Sequence, residues 1–232
     1  MEQDSTLAVG DRSATSRRTL LKSGAAASAA IWAAPSILSL DAVAAAAGSC
    51  LVPTRQVDFS RFANSRLPSS FLSDHGSVSI TFAISDPWGR QDPSYRGFVF
   101  NGGLNGRDNP VVTGMNNARN GNYVDLVFTF SVPVCPTFWL IDVDRASSSW
   151  EDTVRVIGSN GAGTINPSAM NVGGAQTVVS ANTVRGNTST SGSNGNVEVV
   201  FDQAITRLEI RHQDNSNWTA FQWIAVHDFL WC

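Results

Sequence analysis

The sequence predicts an all-β fold, an antiparallel sandwich with a jelly roll as its expected form. Three observations predict it. Apolar and polar residues alternate over short runs, as in "SVSITFAIS" at 77–85 and "NYVDLVFTF" at 122–130, which is the period of a strand buried on one face. Beyond residue 47, no stretch repeats apolar residues at helical spacing over three turns. Clusters of Gly, Asn, Pro and Ser, such as "NGGLNGRDNP" (101–110), "GSNGAGTINPS" (158–168) and "RGNTSTSGSNGN" (185–196), separate the runs and suit turns and long loops. Many short strands punctuated in this way argue for a sandwich or jelly roll.

Ahead of the first strand, residues 16–22 read "SRRTLLK", followed by the weakly apolar "SGAAASAAIWAAPSILSL" and the small-residue run "DAVAAAAGS". A basic region, an apolar region and an A-x-A-like site in that order make an export signal. The pair Arg17 and Arg18 resembles a twin-arginine signal, with Leu20 standing where the pattern usually has Phe. Pro35 and Asp41 interrupt the apolar run short of the ~20 residues a membrane span needs. No span is therefore expected after removal of residues 1–47. "AGSC" has no Leu three residues before Cys50, which argues against a lipid anchor. The expected destination is outside the cell or at its wall, or the periplasm in a Gram-negative organism.

Residues 48–232 are within the size of one domain and long enough to bury roughly 70% of the unfolded chain's surface. The strand candidates in order are 53–58, 77–85, 97–100, 122–130, 136–144, 152–158, 196–202, 205–212 and 222–231. In 77–85, Val78, Ile80, Phe82 and Ile84 share one face; in 122–130, Val124, Leu126, Phe128 and Phe130 point inward and Asp125 outward. Antiparallel pairing of the first and last strands would bring Cys50 beside Cys232. An exported location permits that disulfide, leaving Cys135 as the odd cysteine. The net charge is −3, and the only lysine, Lys22, lies in the signal. This is no footprint for nucleic acid.

The ending "WIAVHDFLWC" (223–232), with Asp228, resembles the closing strand of secreted jelly-roll modules of the adhesion and carbohydrate-binding kinds. "FWLIDVD" (138–144) resembles a strand frequent in secreted bacterial β-sandwich surface proteins. Together these motifs imply the architecture and an extracellular binding role. His227 stands where many such modules have a second Asp, so the resemblance carries no metal role to that strand.

"LIDVDRASSSWEDTVRV" (140–156) sets Asp142, Asp144 and Asp152 around a Ser-rich loop. If the strand runs to 144, Asp142 and Asp144 share the face of Phe138 and Leu140, ~7 Å apart. Two carboxylates so placed resist desolvation unless something compensates. In one reading Asp142 and Asp144 cap backbone amides of a tight turn and Asp152 pairs with Arg145 or Arg155. In the other, calcium, which takes six to eight oxygens, is held by Asp142, Asp144, Asp152 and loop carbonyls. The spacing does not fit an EF-hand, because Ala146 and Ser147 stand at its acidic and glycine positions.

Catalysis ranks behind both readings. Glu198 and Glu209 lie on neighbouring strand candidates, but a face bearing Arg207, Glu209 and Arg211 is commonly solvated pairing. There is no G-x-S-x-G, and His75, His212 and His227 are isolated. Aromatic residues speak more for binding. Trp139, Trp223 and Trp231 sit in apolar runs and read as core. Trp88 lies in the loop "SDPWGRQDPSYRG" with Arg90, Asp92 and Tyr95, and Trp218 lies in "DNSNWTAF". Flat amphipathic rings beside charged groups suit a glycan or peptide. The expected role is a secreted or cell-surface binding module without catalytic activity, with a glycan or surface protein as partner. A glycoside hydrolase or polysaccharide lyase on the same scaffold, or a structural adhesion component, are the alternatives.

Overall fold

The computed structural model describes residues 54–146, 149–189, 192–217 and 220–231. They form two antiparallel sheets packed as a sandwich. Sheet A comprises β1 (Thr54–Val57), β4 (Phe98–Val99), β7 (Val111–Ala118), β9 (Thr137–Ile141), β13 (Ala169–Val172), β16 (Val197–Val200) and β18 (Ala220–Trp231). Its order is β13-β16-β9-β18-β7-β4, with β1 also on β18. Sheet B comprises β2 (Ser70–Leu72), β3 (Ser79–Ser85), β8 (Tyr123–Val134), β11 (Trp150–Ser159), β14 (Gln176–Ser180), β15 (Thr183–Gly186) and β17 (Ile205–Asp214). Its order is β14-β15-β11-β17-β8-β3-β2, and β10 (Arg145–Ala146) and β12 (Thr164–Ile165) attach to β11. A separate hairpin joins β5 (Gly103–Leu104) to β6 (Arg107–Asp108).

Alternation places the core. Val124, Leu126, Phe128 and Phe130 of β8 are buried, as are Val154 and Val156 of β11 and Leu208 and Ile210 of β17. From sheet A, Phe138, Leu140, Val197, Val199, Ile224 and Val226 face them. Phe229 sits at the centre, edge-on to Phe59, Phe128, Phe130 and Phe138 with ring centroids 4.9–5.9 Å apart, the geometry that aromatic quadrupoles favour. The β18–β9 register slips between His227 and Leu230. Such an irregularity re-aims side chains: Phe229 enters the core while His227 and Asp228 line a cavity.

Every strand candidate has its counterpart, and the first strand does pair with the last, Thr54 opposite Trp231. Cys50 and Cys232, like Arg17 and Arg18 of the expected signal and Trp218, lie outside the described residues. Among the described residues, β7, β13, β14 and β15 and the two- and three-residue strands β2, β5, β6, β10 and β12 have no counterpart in the sequence reading. β7 shows no alternation because both its faces are covered, Val111 by the core and Val112 by a second apolar cluster on the outer side. β13, β14 and β15 are short, largely polar or exposed strands at the sheet margins.

Three expectations are corrected. The strand at 136–144 stops at Ile141, because Asp142 adopts a left-handed conformation (φ 65°). Val143, not Asp142 or Asp144, takes the next core position. Trp139 is not core: it lies half-buried on the outer face of sheet A. Trp223 packs on the outer-face cluster of Val112, Ile141 and Ala225, leaving Trp231 alone of the three in the core.

Candidate functional site

Each carboxylate of the acidic loop is held by a protein donor. Asn105 Nδ2 donates to Asp142 Oδ1 at 2.9 Å. Burial pushes the Asp142 carboxyl up to about 6, and the charges of Asp144 and Asp152 push the same way against the Asn105 bond. Trp150 donates its indole N–H to Asp144 at 2.7 Å. The Asp144 amide donates to Asp152 Oδ2 (3.2 Å), and the Asp152 amide to the Asp144 carbonyl (3.1 Å). Asp152 Oδ1 meets His212 Nε2 at 2.8 Å, both side chains shut off from solvent. Burial raises the Asp152 carboxyl, opposed by His212. Asp152 thus pairs with neither Arg145 nor Arg155, which meet Glu151 and Glu209 instead. The loop crosses β15 at Gly186, where any Cβ would overlap the Asp144 backbone. Among the described residues, no three His, Cys, Asp or Glu side chains are grouped to hold a metal ion.

The aromatic loop is strapped to β7 by Asp92 N–H to the Gly114 carbonyl (2.9 Å) and Asn116 N–H to the Arg90 carbonyl (2.7 Å). Asp86 accepts from the amides of Arg90 and Gln91, and Asp92 from that of Ser94. Asp92 therefore shapes the loop. Its aromatics part company. Trp88, 52% exposed, meets Tyr123 of sheet B edge-on at 6.3 Å. Tyr95 packs on the outer face of sheet A beside Phe221, 5.0 Å between ring centroids. The Phe221 ring and the Tyr95 Cβ lie over Gly114, where an added Cβ would come within 3.1–3.2 Å of them. The residues expected to share one ligand thus serve two faces.

Sequence reasoning missed the groove on the outer face of sheet A. Register aligns Asn171, Glu198, Trp139 and His227 directly opposite one another across β13, β16, β9 and β18. Side chains so aligned are neighbours on one face. Asn171 Nδ2 donates to Glu198 at 2.9 Å, and the rings of Trp139 and His227 are 6.0 Å apart. The β5–β6 hairpin lies over this row. Its turn has Asn105 and Gly106 at φ 49° and 80°, the two left-handed residues of a type I′ hairpin. Leu104 anchors it on the Val112, Ile141 and Ala225 cluster. Asn105 also accepts the Gly192 amide at its side chain and the Asn196 Nδ2 at its carbonyl. Arg107 then stands 3.9 Å above the Trp139 ring.

On one side of Arg107 is a cavity of about 340 Å3 lined by Asn105, Trp139, Asn171, Asn196 and Glu198. On the other is one of about 360 Å3, lined by Arg55, Asp58, Asp108, His227 and Asp228. Asp228 takes Arg55 Nε at 2.9 Å and the Phe59 amide at 3.2 Å, yet burial still raises its carboxyl to about 6. Burial, then Arg107 and Arg55, lowers His227 to about 4, so its imidazole is neutral at physiological pH. The Asn196 Oδ1 and His227 Nδ1 atoms are enclosed with no hydrogen-bond partner. Comparison with known protein families, with curated proteins and with solved structures finds no match to this chain.

Proposed function

We propose that this domain is an exported, non-catalytic module that binds a glycan in the grooves beside Arg107 on the outer face of sheet A. The observation that carries the reading is the aligned row Asn171, Glu198, Trp139 and His227 under the hairpin. A sugar offers an apolar ring face and hydroxyls that both give and accept hydrogen bonds. The row offers the edge of an indole, two carboxamides counting Asn196, a carboxylate and a guanidinium, the mixed lining that fixes a ligand's orientation. Export rests on the Arg17–Arg18 segment. Glu198 and Glu209 do not form a hydrolytic pair, because they stand in different sheets, whereas a hydrolase sets two carboxylates roughly 5–10 Å apart across one cleft.

The test is a glycan array probed with residues 48–232, followed by calorimetry on the hits with Glu198→Gln, Trp139→Ala and Trp88→Ala. Tenfold or greater loss with the first two and little change with the third is expected. Neutral-glycan hits that survive both groove substitutions, or no neutral-glycan hits at all, refute the reading. Release of reducing ends from any bound polysaccharide would favour the enzyme alternative.

A further inference from the structure

The outer face of sheet B has a different chemistry. Its side chains also stand in cross-strand rows, and in one of them Thr183, Arg155, Arg211 and Asp125 follow one another across β15, β11, β17 and β8. Arg155 and Arg211 are directly opposite. Like charges in that position repel, and the nearby carboxylates neutralise them only in part. Arg211 forks Asp125 at 2.7 and 3.0 Å. Glu209 is shared by Arg207 (2.9 Å), Arg155 (3.5 Å) and Arg211 (3.9 Å), and Glu151 by Arg145 (3.3 Å) and Arg185 (3.7 Å). Five guanidiniums thus face three carboxylates, an excess of two positive charges on a chain whose net charge is −3.

Between the opposed arginines lies a groove of about 180 Å3 lined by Thr153, Arg155, Thr183, Arg211 and Gln213. Its lining holds two guanidiniums, two hydroxyls and a carboxamide, and no carboxylate. Arg155 Nε is itself buried without a hydrogen-bond partner. Arg211 is fixed in place, its guanidinium 3.6 Å above the Tyr123 ring, and Tyr123 in turn meets the exposed Trp88.

We propose that this groove is an anion subsite that takes a sulfate or phosphate ester carried on a sugar, the sugar extending over Tyr123 toward Trp88. The guanidinium N–H groups that the pairs of Arg211 with Asp125 and of Arg155 with Glu209 leave over converge from two strands, with hydroxyls beside them, and suit a tetrahedral anion. The sugar half of the inference rests on the reading of the domain as a glycan module. The anion half stands without it, since it uses none of the sheet A residues.

The test follows the Arg Nε–H and Trp indole N–H signals by NMR while sodium sulfate, sodium phosphate or sodium acetate replaces chloride at constant ionic strength. Sulfate and phosphate are expected to give saturable shifts at Arg155 and Arg211, acetate at least fivefold weaker ones. Arg155→Gln should weaken sulfate tenfold or more, and Arg61→Gln, in the 3-10 turn Phe59–Phe62, should not. If Arg155→Gln fails to fold, Arg155→Lys, which keeps the charge and loses the fork, should still weaken sulfate several-fold. N-acetylglucosamine 6-sulfate should bind more tightly than inorganic sulfate, and Trp88→Ala should erase that gain alone. Shifts that never saturate, or that persist in Arg155→Gln, overturn the subsite. A sulfated sugar no better than the bare ion overturns its glycan half. Loss of neutral-glycan binding at sheet A leaves the anion result standing.

Discussion

Asp142→Asn should make the protein more stable at neutral pH. In the native state the Asp142 carboxyl titrates at about 6 against its ordinary value of 3.8. The folded state therefore holds its proton more tightly than the unfolded one. Below the unfolded value the group is protonated in both states and contributes nothing. Between about 4 and 6 only the unfolded state ionises, and stability falls by about 1.4 kcal/mol per pH unit. Above 6 the full cost of about 3 kcal/mol is in place. Asparagine keeps an oxygen for the Asn105 donor and tolerates the left-handed backbone, but carries no charge. At pH 7 the variant should gain up to about 3 kcal/mol, or roughly 6–12 °C in Tm for a domain of this size, and at pH 4 most of that gain should be gone. Urea titrations from pH 4 to 8 in EDTA measure it. An equal shift at every pH, or a loss at pH 7, refutes the electrostatic argument. A calcium ion bridging Asp142 and Asp144 would instead hold Asp142 ionised and reverse the sign. A parallel series in calcium reads this directly: wild-type stabilisation that Asp142→Asn abolishes would make the loop a metal site.

Two other perturbations test the packing and the groove. His227, lowered to about 4, binds its proton less readily folded than unfolded, so its stabilising effect is full above about 6.5 and is lost as pH falls toward 4. Its ring proton signals should titrate near 4, and a midpoint near 6.5 would show that the imidazole is solvated. Phe229→Ala removes the ring at the meeting point of both sheets and should cost about 3–5 kcal/mol by denaturant unfolding; a loss under 1 kcal/mol would mean that the core is not organised around it.

Much of the sandwich is legible in the sequence because alternation is a local signal. The run that turns Phe138 and Leu140 inward also turns Trp139 outward, so the groove's aromatic floor is written there, masked by apolar neighbours. Asn105-Gly106 likewise marks a hairpin, but only Leu104 seated on Val112, Ile141 and Ala225 places it over sheet A, and that contact joins distant parts of the chain. The partner of Asp152 was beyond local reading for the same reason. Arg145 and Arg155 are near in sequence, but the order of strands sets β17, and with it His212, beside β11. The opposition of Arg155 and Arg211 follows from that same neighbourhood. The acidic loop misleads differently: alternation extends the strand through Asp144, and nothing in a period of two announces that Asp142 will turn left-handed.

The pairing of Thr54 with Trp231 has a mechanical consequence. The first and last strands meet antiparallel at one corner, so the chain enters and leaves the sandwich side by side. Tension between the two ends would peel β1 from β18 one hydrogen bond at a time, the geometry of a zip, instead of shearing a row of bonds together. Tension between one end and a ligand in the groove would follow another route, through β18 and its neighbours β9 and β7. Held at one end and pulled through its ligand, the domain resists along the middle of sheet A; held at both ends, it opens at its seam.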